Sequence, residues 1–452
     1  MEEKKRSSFS GRIGFVMAAA GSAVGLGNIW RFPYLAAKYG GGIFLLVYIL
    51  LAVTLGFSLM VSEIALGRKT KLSAIEAFST LNKKFKFLGI LASAVPVIIL
   101  PYYSVIGGWV AKYMVVFMTG GSAQAAQDGY FSQFISAPVE PAIWFVLYII
   151  ATAVIVLLGV EKGVEKASRI LMPLLVVLSV IIAVYTSVQP GALEGIKYYI
   201  MPDFSKFSVK TVLAAMGQMF YSLSLAMGIM ITYGSYLKKD GDIEASVKQI
   251  EIFDLLIAFL AGLMIVPSVF VFSGGDESQL QTGPGLMFEM LPKVFDSMPF
   301  SNVVGAVFFV LVLFAALTSS ISLMETVVSI VQDKLHWSRK KSSIAVLIFT
   351  IAVGMLSCLG YGPLSFISVF GMAFLDFFDF ISNSVIMPIV ALLTCLFISK
   401  VVGVDPIVEE VKLSSAFKRE KVFRVMIRYI APICIIAILV SNLLSYFNIF
   451  VI

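Results

Sequence analysis

The segment AAAGSAVGLGNIWRFPY, residues 18–34, places chemically capable residues inside an apolar run that is long enough to cross a membrane. Gly21, Gly25 and Gly27 each weaken a helix by about 1 kcal/mol, and a cation such as Arg31 is costly at membrane depth. A helix that breaks here frees backbone carbonyls, which can bind a cation, and backbone amides, which can bind an anion. These residue types in this spacing therefore indicate an ion-binding break in a membrane helix.

A second apolar run is interrupted in a comparable way by SLSLAMG, residues 222–228. The two interruptions lie five helices apart, which is the separation that a five-helix repeat produces. Broken helices at corresponding places in two halves of a chain indicate the binding site of a transporter built from inverted repeats. The alternative is that the small residues only let neighbouring helices pack closely. The two breaks alone leave both interpretations open.

The elements that position these breaks are membrane helices, because 59% of the residues are hydrophobic, 13% are charged and the mean hydropathy is +0.96. Soluble domains average about 25% charged residues. The net charge of +7 comes from basic residues in short loops on one side of the predicted membrane, so it indicates topology and not a nucleic-acid partner. The positive-inside rule makes the amino terminus cytoplasmic.

The chain is predicted to be an all-α integral membrane protein with about eleven transmembrane helices, each of about 20 residues or more. The predicted spans are residues 11–37, 41–67, 88–118, 141–159, 166–188, 210–237, 250–272, 302–333, 342–360, 363–398 and 422–450. One transmembrane domain is expected to fill residues 1–452. Its predicted parts are a cytoplasmic segment 1–10, a first repeat 11–188, a second repeat 210–398 and an additional helix 422–450.

The residues that enzymes commonly use are missing or scattered. The sequence contains no HExxH or GxSxG motif, and its single histidine, His336, falls in a predicted cytoplasmic loop. Cys358, Cys395 and Cys434 lie in separate apolar spans, where they are interpreted as small packing residues. The sequence therefore predicts a protein that is not an enzyme.

Several further motifs occur in one order along the chain. They are YGGGIF (39–44), PYYSVIGGW (101–109), GQMFYSLSLAMG (217–228), ITYGSYLKKDGDI (231–243), FAALTSSISLM (314–324) and FLDFFDF (374–380). Together with GSAVGLGNIWRFPY, they resemble the neurotransmitter:sodium symporter family over nearly the whole chain, and the chain is identified as a bacterial member. The resemblance implies two inverted five-helix repeats with broken helices 1 and 6. It departs from the family at the end, where a common twelfth helix is missing.

The resemblance implies two sodium sites built from oxygen ligands, which suit a hard cation. The first would use the carbonyl of Ala23, the amide of Asn28, Ser222, Asp254 and the substrate carboxylate. The second would use the carbonyls of Gly21, Val24 and Ala315 and the hydroxyls of Thr318 and Ser319. Without the resemblance, hydroxyls in LTSS on an apolar helix are more often bonded to carbonyls of their own helix.

The resemblance also implies an amino-acid substrate between the breaks. Its carboxylate would meet the amides of Leu26 and Gly27 and the hydroxyl of Tyr103. Its ammonium would meet the carbonyls of Ala23, Tyr221 and Ser222 and the hydroxyl of Ser224. Biogenic-amine carriers have an aspartate at the position of Gly25, which points to amino acids here.

The predicted side-chain pocket has no charged wall, which favours a hydrophobic or aromatic substrate. It would be lined by Ser22, Ile99, Tyr103, Tyr221, Met227, Ser319 and Leu323. Met227 is flexible and adapts to different shapes. Tyr221 could instead be a packing residue.

The resemblance implies gates on both sides of this site. Arg31 would pair with Asp379 at the outer mouth, directly or through water. Arg6 would pair with Asp333 on the inner side, with Tyr236 nearby.

Three further positions match family features. Glu63 would satisfy backbone amides freed by the second break, and Phe9 stands where a tryptophan is expected, so the amino-terminal plug can pack differently. Gly163, ten residues before Pro173, resembles a segment that unwinds to release sodium inward. A plain proline kink is the alternative for that last feature.

Asp254 stands where most members have asparagine, beside an anion site that in chloride-dependent members involves the equivalents of Tyr48, Gln218 and Ser222. Ala258 replaces a serine of that site. An ionised Asp254 would supply the negative charge that sodium needs, which predicts chloride independence. The alternatives are that Asp254 is an ordinary sodium ligand or a protonated packing group.

We therefore expect a symporter of the bacterial inner membrane that imports hydrophobic or aromatic L-amino acids with sodium by alternating access. Its expected partners are the amino acid, two sodium ions and membrane lipid, with no nucleic acid. The alternative is a proton-coupled amino-acid permease of the same fold. Thr318 and Ser319 argue for sodium, because proton-driven relatives tend to carry a charged side chain in their place.

Overall fold

The computed structural model describes residues 7–273 and 283–446. Within these ranges the chain is almost entirely helical, and β pairing is limited to two isolated bridges, Gly41 with Pro202 and Val369 with Met372. Long apolar runs form helices because a helix satisfies its own backbone hydrogen bonds where water is excluded. The all-α class predicted from the sequence is confirmed.

We label the membrane helices and half-helices α1 to α13. They are α1 (Arg12–Ala23), α2 (Gly27–Lys38), α3 (Gly42–Thr70), α4 (Lys83–Met118), α5 (Glu140–Leu157), α6 (Val160–Ser187), α7 (Val209–Ser222), α8 (Ile229–Tyr236), α9 (Ile243–Ser273), α10 (Ser301–Leu335), α11 (Arg339–Leu359), α12 (Phe374–Val402) and α13 (Glu420–Ser445). In the described ranges, nine of these helices are individually long and apolar enough to span a membrane. The bent pair α1–α2 makes a tenth candidate span, whereas α7 and α8, which cover the predicted span 210–237, are not among the candidates, so the count of eleven stays a prediction.

Several predicted boundaries differ from the structure. The tenth span begins at Phe374 and not at residue 363, because residues before Phe374 form turns closed by the bridge between Val369 and Met372. The fifth span begins earlier than predicted, with a π-helical turn, Val160–Glu165. The predicted end of the last span, 447–450, lies outside the described residues, and the repeat boundaries stay a prediction.

Short helices cover the ends of the membrane helices. The predicted loop 119–140 contains two of them, Ser122–Ala125 and Tyr130–Ser136, and the loop before α13 contains Asp405–Lys412. Half-helix α1 lies at the centre of the protein, packed against α6, α9 and α10. The structure therefore surrounds the first break with long, continuous helices that hold it in place.

Half-helix α8 packs tightly along α3 through small residues. A Cβ on Gly67 would lie 1.9 Å from the carbonyl oxygen of Ile231, and a Cβ on Gly234 would lie 2.3 Å from that of Ile64. These glycines let the two backbones approach as closely as small-residue contacts in membranes allow. Close packing by small residues thus occurs beside the second break, but not in place of it.

Candidate functional site

The first break separates α1 from α2, whose axes bend by 52°. A Cβ on Gly25 would lie 2.7 Å from Ser319 Oγ and 3.2 Å from the Tyr103 hydroxyl. A Cβ on Gly27 would lie 2.4 Å from the ring of Tyr221. Glycine is required at both positions because neighbouring side chains occupy the space that any larger residue would need.

The second break, residues 223–228, is longer and has an unusual backbone. Ser224, Ala226 and Gly228 have φ values of 52°, 58° and 69°, in the left-handed region that only glycine adopts freely. The Ala226 amide donates a hydrogen bond of 2.7 Å to Glu63 Oε1. This bond confirms the contact predicted for Glu63, which satisfies a backbone amide that the break leaves without a helical partner.

A pair of serines joins the two breaks. The Ser224 hydroxyl donates to the Ser22 carbonyl oxygen at 2.9 Å, and the Ser22 hydroxyl donates to Ser224 Oγ at 3.1 Å. Both serines are buried. The breaks therefore lie against each other, as the sequence predicts.

A buried cavity lies where the breaks meet. Its lining residues are Ser22, Ala23, Gly25, Leu26, Gly27, Asn28, Ile99, Tyr103, Tyr221, Ser222, Ser224, Met227, Ile229, Ser319 and Leu323. All thirteen residues predicted to contact substrate are among them. Sequence reasoning missed Ile229, although its place directly after Gly228, where the helix resumes, is a usable signal. None of the described lining residues is charged.

The side chains predicted for the first sodium site converge on Asp254, which is fully buried in α9. Asp254 Oδ1 accepts hydrogen bonds from the Ser222 hydroxyl and, at 2.7 Å, from Asn28 Nδ2. Tyr48 donates its hydroxyl to Asp254 Oδ2 at 2.7 Å. Ala23 lines the adjacent cavity. The oxygens of Ser222 and Asp254 suit an alkali cation, whereas Asn28 presents Nδ2 to them and its Oδ1 accepts the Gly25 amide at 3.2 Å.

The groups predicted for the second sodium site also lie together, at the carboxyl end of α1. Ser319 Oγ lies 3.4 Å from the carbonyl oxygen of Gly21 and 3.5 Å from that of Val24. Thr318 donates its hydroxyl to the Ala315 carbonyl at 3.1 Å, as the bonding within one helix predicts. A Cβ on Gly21 would lie 3.1 Å from Thr318 Cβ, so the five groups are neighbours.

Two of the three predicted equivalents of an anion site, Tyr48 and Ser222, donate to Asp254. Gln218 Nε2 donates to the Gly27 carbonyl at 2.9 Å, and Gln218 Oε1 is buried without a hydrogen-bond partner among the described residues. Tyr48 gives its hydroxyl to Asp254. Ala258, one turn further along α9, is buried and offers no hydroxyl. A carboxylate thus accepts the hydroxyls of two of these residues.

The outer gate residues lie at the same mouth but form no direct pair. No ion pair within 4.0 Å joins Arg31 to Asp379 in the part of the chain that the structure describes. The Arg31 guanidinium lies 5.5 Å from the ring centre of Tyr221. Asp379 Oδ1 accepts from Tyr102 at 3.1 Å and from Asn383 at 2.7 Å. Both gate residues border a second cavity beyond Tyr221, and a water-mediated pair stays a prediction.

Of the two residues predicted to form the inner gate, the structure describes only Asp333. Arg6 lies outside the described residues, whereas Asp333 Oδ2 accepts a hydrogen bond from the Ser73 amide at 2.7 Å. Tyr236 donates its hydroxyl to Glu325 at 2.8 Å, and Arg339 forms an ion pair with the same carboxylate. The pairing of Arg6 stays a prediction.

The described part of the amino-terminal segment packs on this side of the protein. Phe9 is buried edge-to-face against Tyr233 and Tyr236, with ring centres 5.6 and 6.0 Å apart. It therefore packs as a plug where a larger tryptophan was expected. Gly163 lies in the π-helical turn at the start of α6, and Pro173 lies within the helix, so unwinding of this segment stays a prediction.

Comparisons with known proteins find similar proteins over nearly the whole chain. A model of the sodium:neurotransmitter symporter family matches residues 6–128 and 130–450. The sodium-dependent transporter YhdH of Bacillus subtilis is 36% identical over 448 residues, which cover 98% of each chain. A sodium-dependent transporter of Haemophilus influenzae is 31% identical, covering 97% of this chain and 99% of the relative. The crystal structure of MhsT in complex with L-phenylalanine has a TM-score of 0.86 and 37% identity, covering 97% of this chain and 100% of MhsT.

Proposed function

Because the chain belongs to the sodium:neurotransmitter symporter family, whose members are secondary transporters and not enzymes, we propose that it imports hydrophobic or aromatic L-amino acids together with sodium. The protein is a multi-pass membrane protein with bacterial relatives. We place it in the bacterial inner membrane with a cytoplasmic amino terminus, on the strength of its basic loops. Transport proceeds by alternating access.

The observation that carries this proposal is the uncharged cavity between two broken helices. Half-helix α2 begins at its edge, and a helix amino terminus attracts an anion. The Tyr103 hydroxyl lies 3.5 Å from the Leu26 amide nitrogen. A substrate carboxylate placed beside this pair accepts hydrogen bonds from Tyr103, Leu26 and Gly27.

The substrate ammonium group meets the opposite pole of the site. Half-helices α1 and α7 end there, so the carbonyls of Ala23, Tyr221 and Ser222 and the hydroxyl of Ser224 can accept its protons. Gly25 leaves no room for the aspartate that an amine without a carboxylate would need. The substrate brings its own negative charge.

The remaining wall is apolar and selects the side chain. Ile99, Met227 and Leu323 line it, and Tyr221 separates it from the outer cavity. Burial of a large apolar side chain against such a wall stabilises the complex by about 1.5–3 kcal/mol. The bound L-phenylalanine in the similar protein MhsT supports the same class of substrate here.

Two sodium ions accompany the substrate in this proposal. The first binds to Asp254, Asn28, Ser222, Ala23 and the substrate carboxylate, which makes sodium and amino acid bind together. The second binds at Ser319, Thr318 and the nearby carbonyls at the end of α1. Hydroxyl side chains at this second site, in place of a charged one, favour sodium over the proton-coupled alternative.

Chloride independence follows from the carboxylate at Asp254. The buried sodium ion needs a compensating negative charge, and Asp254 provides it within hydrogen-bonding distance of the other ligands. Ala258 removes one hydroxyl of the anion site. We propose that the substitution of a fixed carboxylate for a bound chloride makes the symporter chloride-independent.

Uptake into proteoliposomes tests the function. We expect tritiated L-phenylalanine to accumulate with an inward sodium gradient and not with potassium or choline. L-Tyrosine, L-tryptophan and L-leucine should compete, whereas phenethylamine, which lacks the carboxylate, should not. Replacing Thr318 and Ser319 together by alanine should weaken sodium-driven uptake, because two oxygen ligands of the ion are lost. Equal uptake in potassium would contradict sodium coupling.

Replacing chloride by gluconate tests the anion proposal separately. The native protein should keep its uptake, and Asp254→Ser or Asp254→Asn should make uptake chloride-dependent because the fixed charge is lost. Loss of native uptake in gluconate, or a failure of chloride to rescue Asp254→Ser, would contradict the proposal without affecting the assignment of the substrate.

A further inference from the structure

A cation from a distant loop reaches the two helices that hold the proposed first sodium site. Arg419 precedes α13 in the chain, and Arg419 NH2 lies 3.1 Å from Glu251 Oε2 of α9. Its NH1 group donates to the Val53 carbonyl of α3 at 3.3 Å, and its guanidinium carbon lies 3.5 Å from the ring centre of Phe57. We call these contacts, together with those to Glu244, the Arg419 clamp.

Further contacts hold the backbone and the partners of Arg419 in place. Glu244 anchors its backbone, because the two oxygens of this carboxylate accept the amides of Lys418 and Arg419 at 2.6 and 3.0 Å. Glu251 is only 3% exposed, and its Oε1 atom has no hydrogen-bond partner among the described residues. Arg419 is partly exposed, so the buried member of the ion pair is Glu251, and removing Arg419 leaves this carboxylate without its cation.

The first arm of the clamp leads to Asp254 along α9. Glu251 precedes Asp254 by three residues, so the two side chains lie on one helix face, about 4.5 Å apart along the axis. Asp254 in turn receives the Ser222 hydroxyl at the end of α7. A rotation or shift of α9 at Glu251 therefore moves the carboxylate of the proposed sodium ligand.

The second arm runs through α3. The Val53 carbonyl lies in a π-helical turn, Ala52–Gly56, whose irregular hydrogen bonding leaves carbonyls for other partners. At the end of this turn, a Cβ on Gly56 would lie 2.5 Å from Leu223, the first residue of the second break. Earlier in α3, Tyr48 donates directly to Asp254. This arm thus reaches both the break and the ligand.

Arg419 contacts α3 and α9 at the same height along the two helices. Helices α3 and α9 are antiparallel here: Tyr48 of α3 contacts Asp254 of α9, and Arg419 contacts Val53 of α3 and Glu251 of α9. The contacts of Arg419 therefore lie about one helical turn from the contact between Tyr48 and Asp254. Two cross-links at adjacent levels fix the relative position of two helices better than one.

We propose that Arg419 is a positioning residue for the first sodium site, which it controls by clamping α3 to α9 beneath Asp254. The proposal rests on the proposed sodium-coupled function. Arg419 touches neither the cavity nor the ligands, and its effect is on the affinity for sodium and not on the recognition of the amino acid. Because such coupling is reciprocal, sodium binding must also tighten the clamp.

Sodium titrations of purified variants test the proposal, with tritiated L-phenylalanine as the probe. We expect Arg419→Gln and Glu251→Gln each to raise the sodium concentration for half-maximal binding by at least about fivefold. Affinity for L-phenylalanine at saturating sodium should change less than about twofold. The double variant should lose little more than Arg419→Gln alone, because Arg419→Gln already removes the contact with Glu251.

Arg424→Gln is the matched control. Arg424 lies one turn further along, and its ion pairs with Glu420 and Asp405 are at the surface. Its sodium titration should match that of the native protein. Unchanged sodium titrations in Arg419→Gln and Glu251→Gln, or equal losses of sodium and L-phenylalanine affinity, would overturn the proposal.

A measurement on the native protein covers the case in which the variants fail to fold. Hydrogen exchange of the amides of Lys418 and Arg419 should be slower in sodium than in potassium, and unchanged exchange would overturn the proposal. A native protein that binds L-phenylalanine equally in both salts contradicts the proposed function itself. Native sodium dependence with unaffected variants contradicts the clamp alone.

Discussion

The two breaks reach similar openings in a membrane helix by different physical means. The first, between α1 and α2, is made by glycines that leave room for neighbouring side chains, and its residues Val24–Leu26 avoid left-handed backbone. The second, residues 223–228, keeps two non-glycine residues in left-handed backbone and is held by side chains of other helices. The first break depends on space and the second on hydrogen bonds from outside, which predicts different responses to mutation.

The largest expected effect comes from filling the space at the first break. Gly27→Ala places a methyl group 2.4 Å from the Tyr221 ring, and overpacking of this kind costs about 1–3 kcal/mol. We expect affinity for L-phenylalanine to fall about ten- to a hundredfold, as measured by equilibrium binding in sodium.

Gly217→Ala is the control for this change. Gly217 lies in α7, where a Cβ would meet nothing within 4 Å, and alanine is the better helix former. Native affinity in Gly217→Ala together with a loss in Gly27→Ala would isolate the effect of space. Native affinity in Gly27→Ala would show that the first break tolerates a side chain.

The second expected effect comes from removing the support of the second break. Glu63→Leu leaves the buried Ala226 amide without an acceptor, which costs about 1–3 kcal/mol. We expect a lower unfolding temperature and reduced uptake. Glu63→Gln keeps an acceptor oxygen and should remain close to native, whereas equal losses in both variants would assign the effect to the charge.

A smaller effect is expected where the breaks touch. Ser224→Ala removes the hydrogen bond to the Ser22 carbonyl and costs about 1 kcal/mol of stability. Because Ser224 also faces the cavity, affinity for L-phenylalanine should fall by less than about tenfold. Thermal unfolding with and without L-phenylalanine separates the two contributions. An unchanged unfolding temperature without ligand would show that the bond between the breaks adds no net stability.

The positions of both breaks could be predicted from the sequence. Glycine, serine and arginine in apolar runs located both breaks, and the resemblance then assigned thirteen residues that the structure places around one cavity. Local composition carries that information because helix breakers act where they stand. The all-α architecture follows in the same way from the length of the apolar runs.

Contacts between residues far apart in the sequence could not be predicted from local composition. The Arg419 clamp joins residues separated by 168 and 366 positions, and Arg419 sits in what the sequence shows only as a loop. In the described part of the chain, Asp379 likewise bonds to Tyr102 and Asn383 and forms no direct pair with Arg31. Which partner satisfies a buried charge is decided by packing in three dimensions, which local patterns do not encode.

The last comparison makes one substitution at two places, Ala226→Gly in the second break and Ala215→Gly within α7. Both residues are buried, so both variants lose one methyl contact and gain the same freedom in the unfolded chain. They differ in backbone, because Ala226 has a φ of 58° and Ala215 is helical. Left-handed backbone costs alanine about 1–2 kcal/mol, which glycine does not suffer. Ala226→Gly should therefore be more stable than Ala215→Gly by about that amount, measured by thermal unfolding of the purified variants. Equal unfolding temperatures would mean that contacts such as the one with Glu63 do not hold a strained backbone, and the contrast between a break made by space and a break made by support would fail.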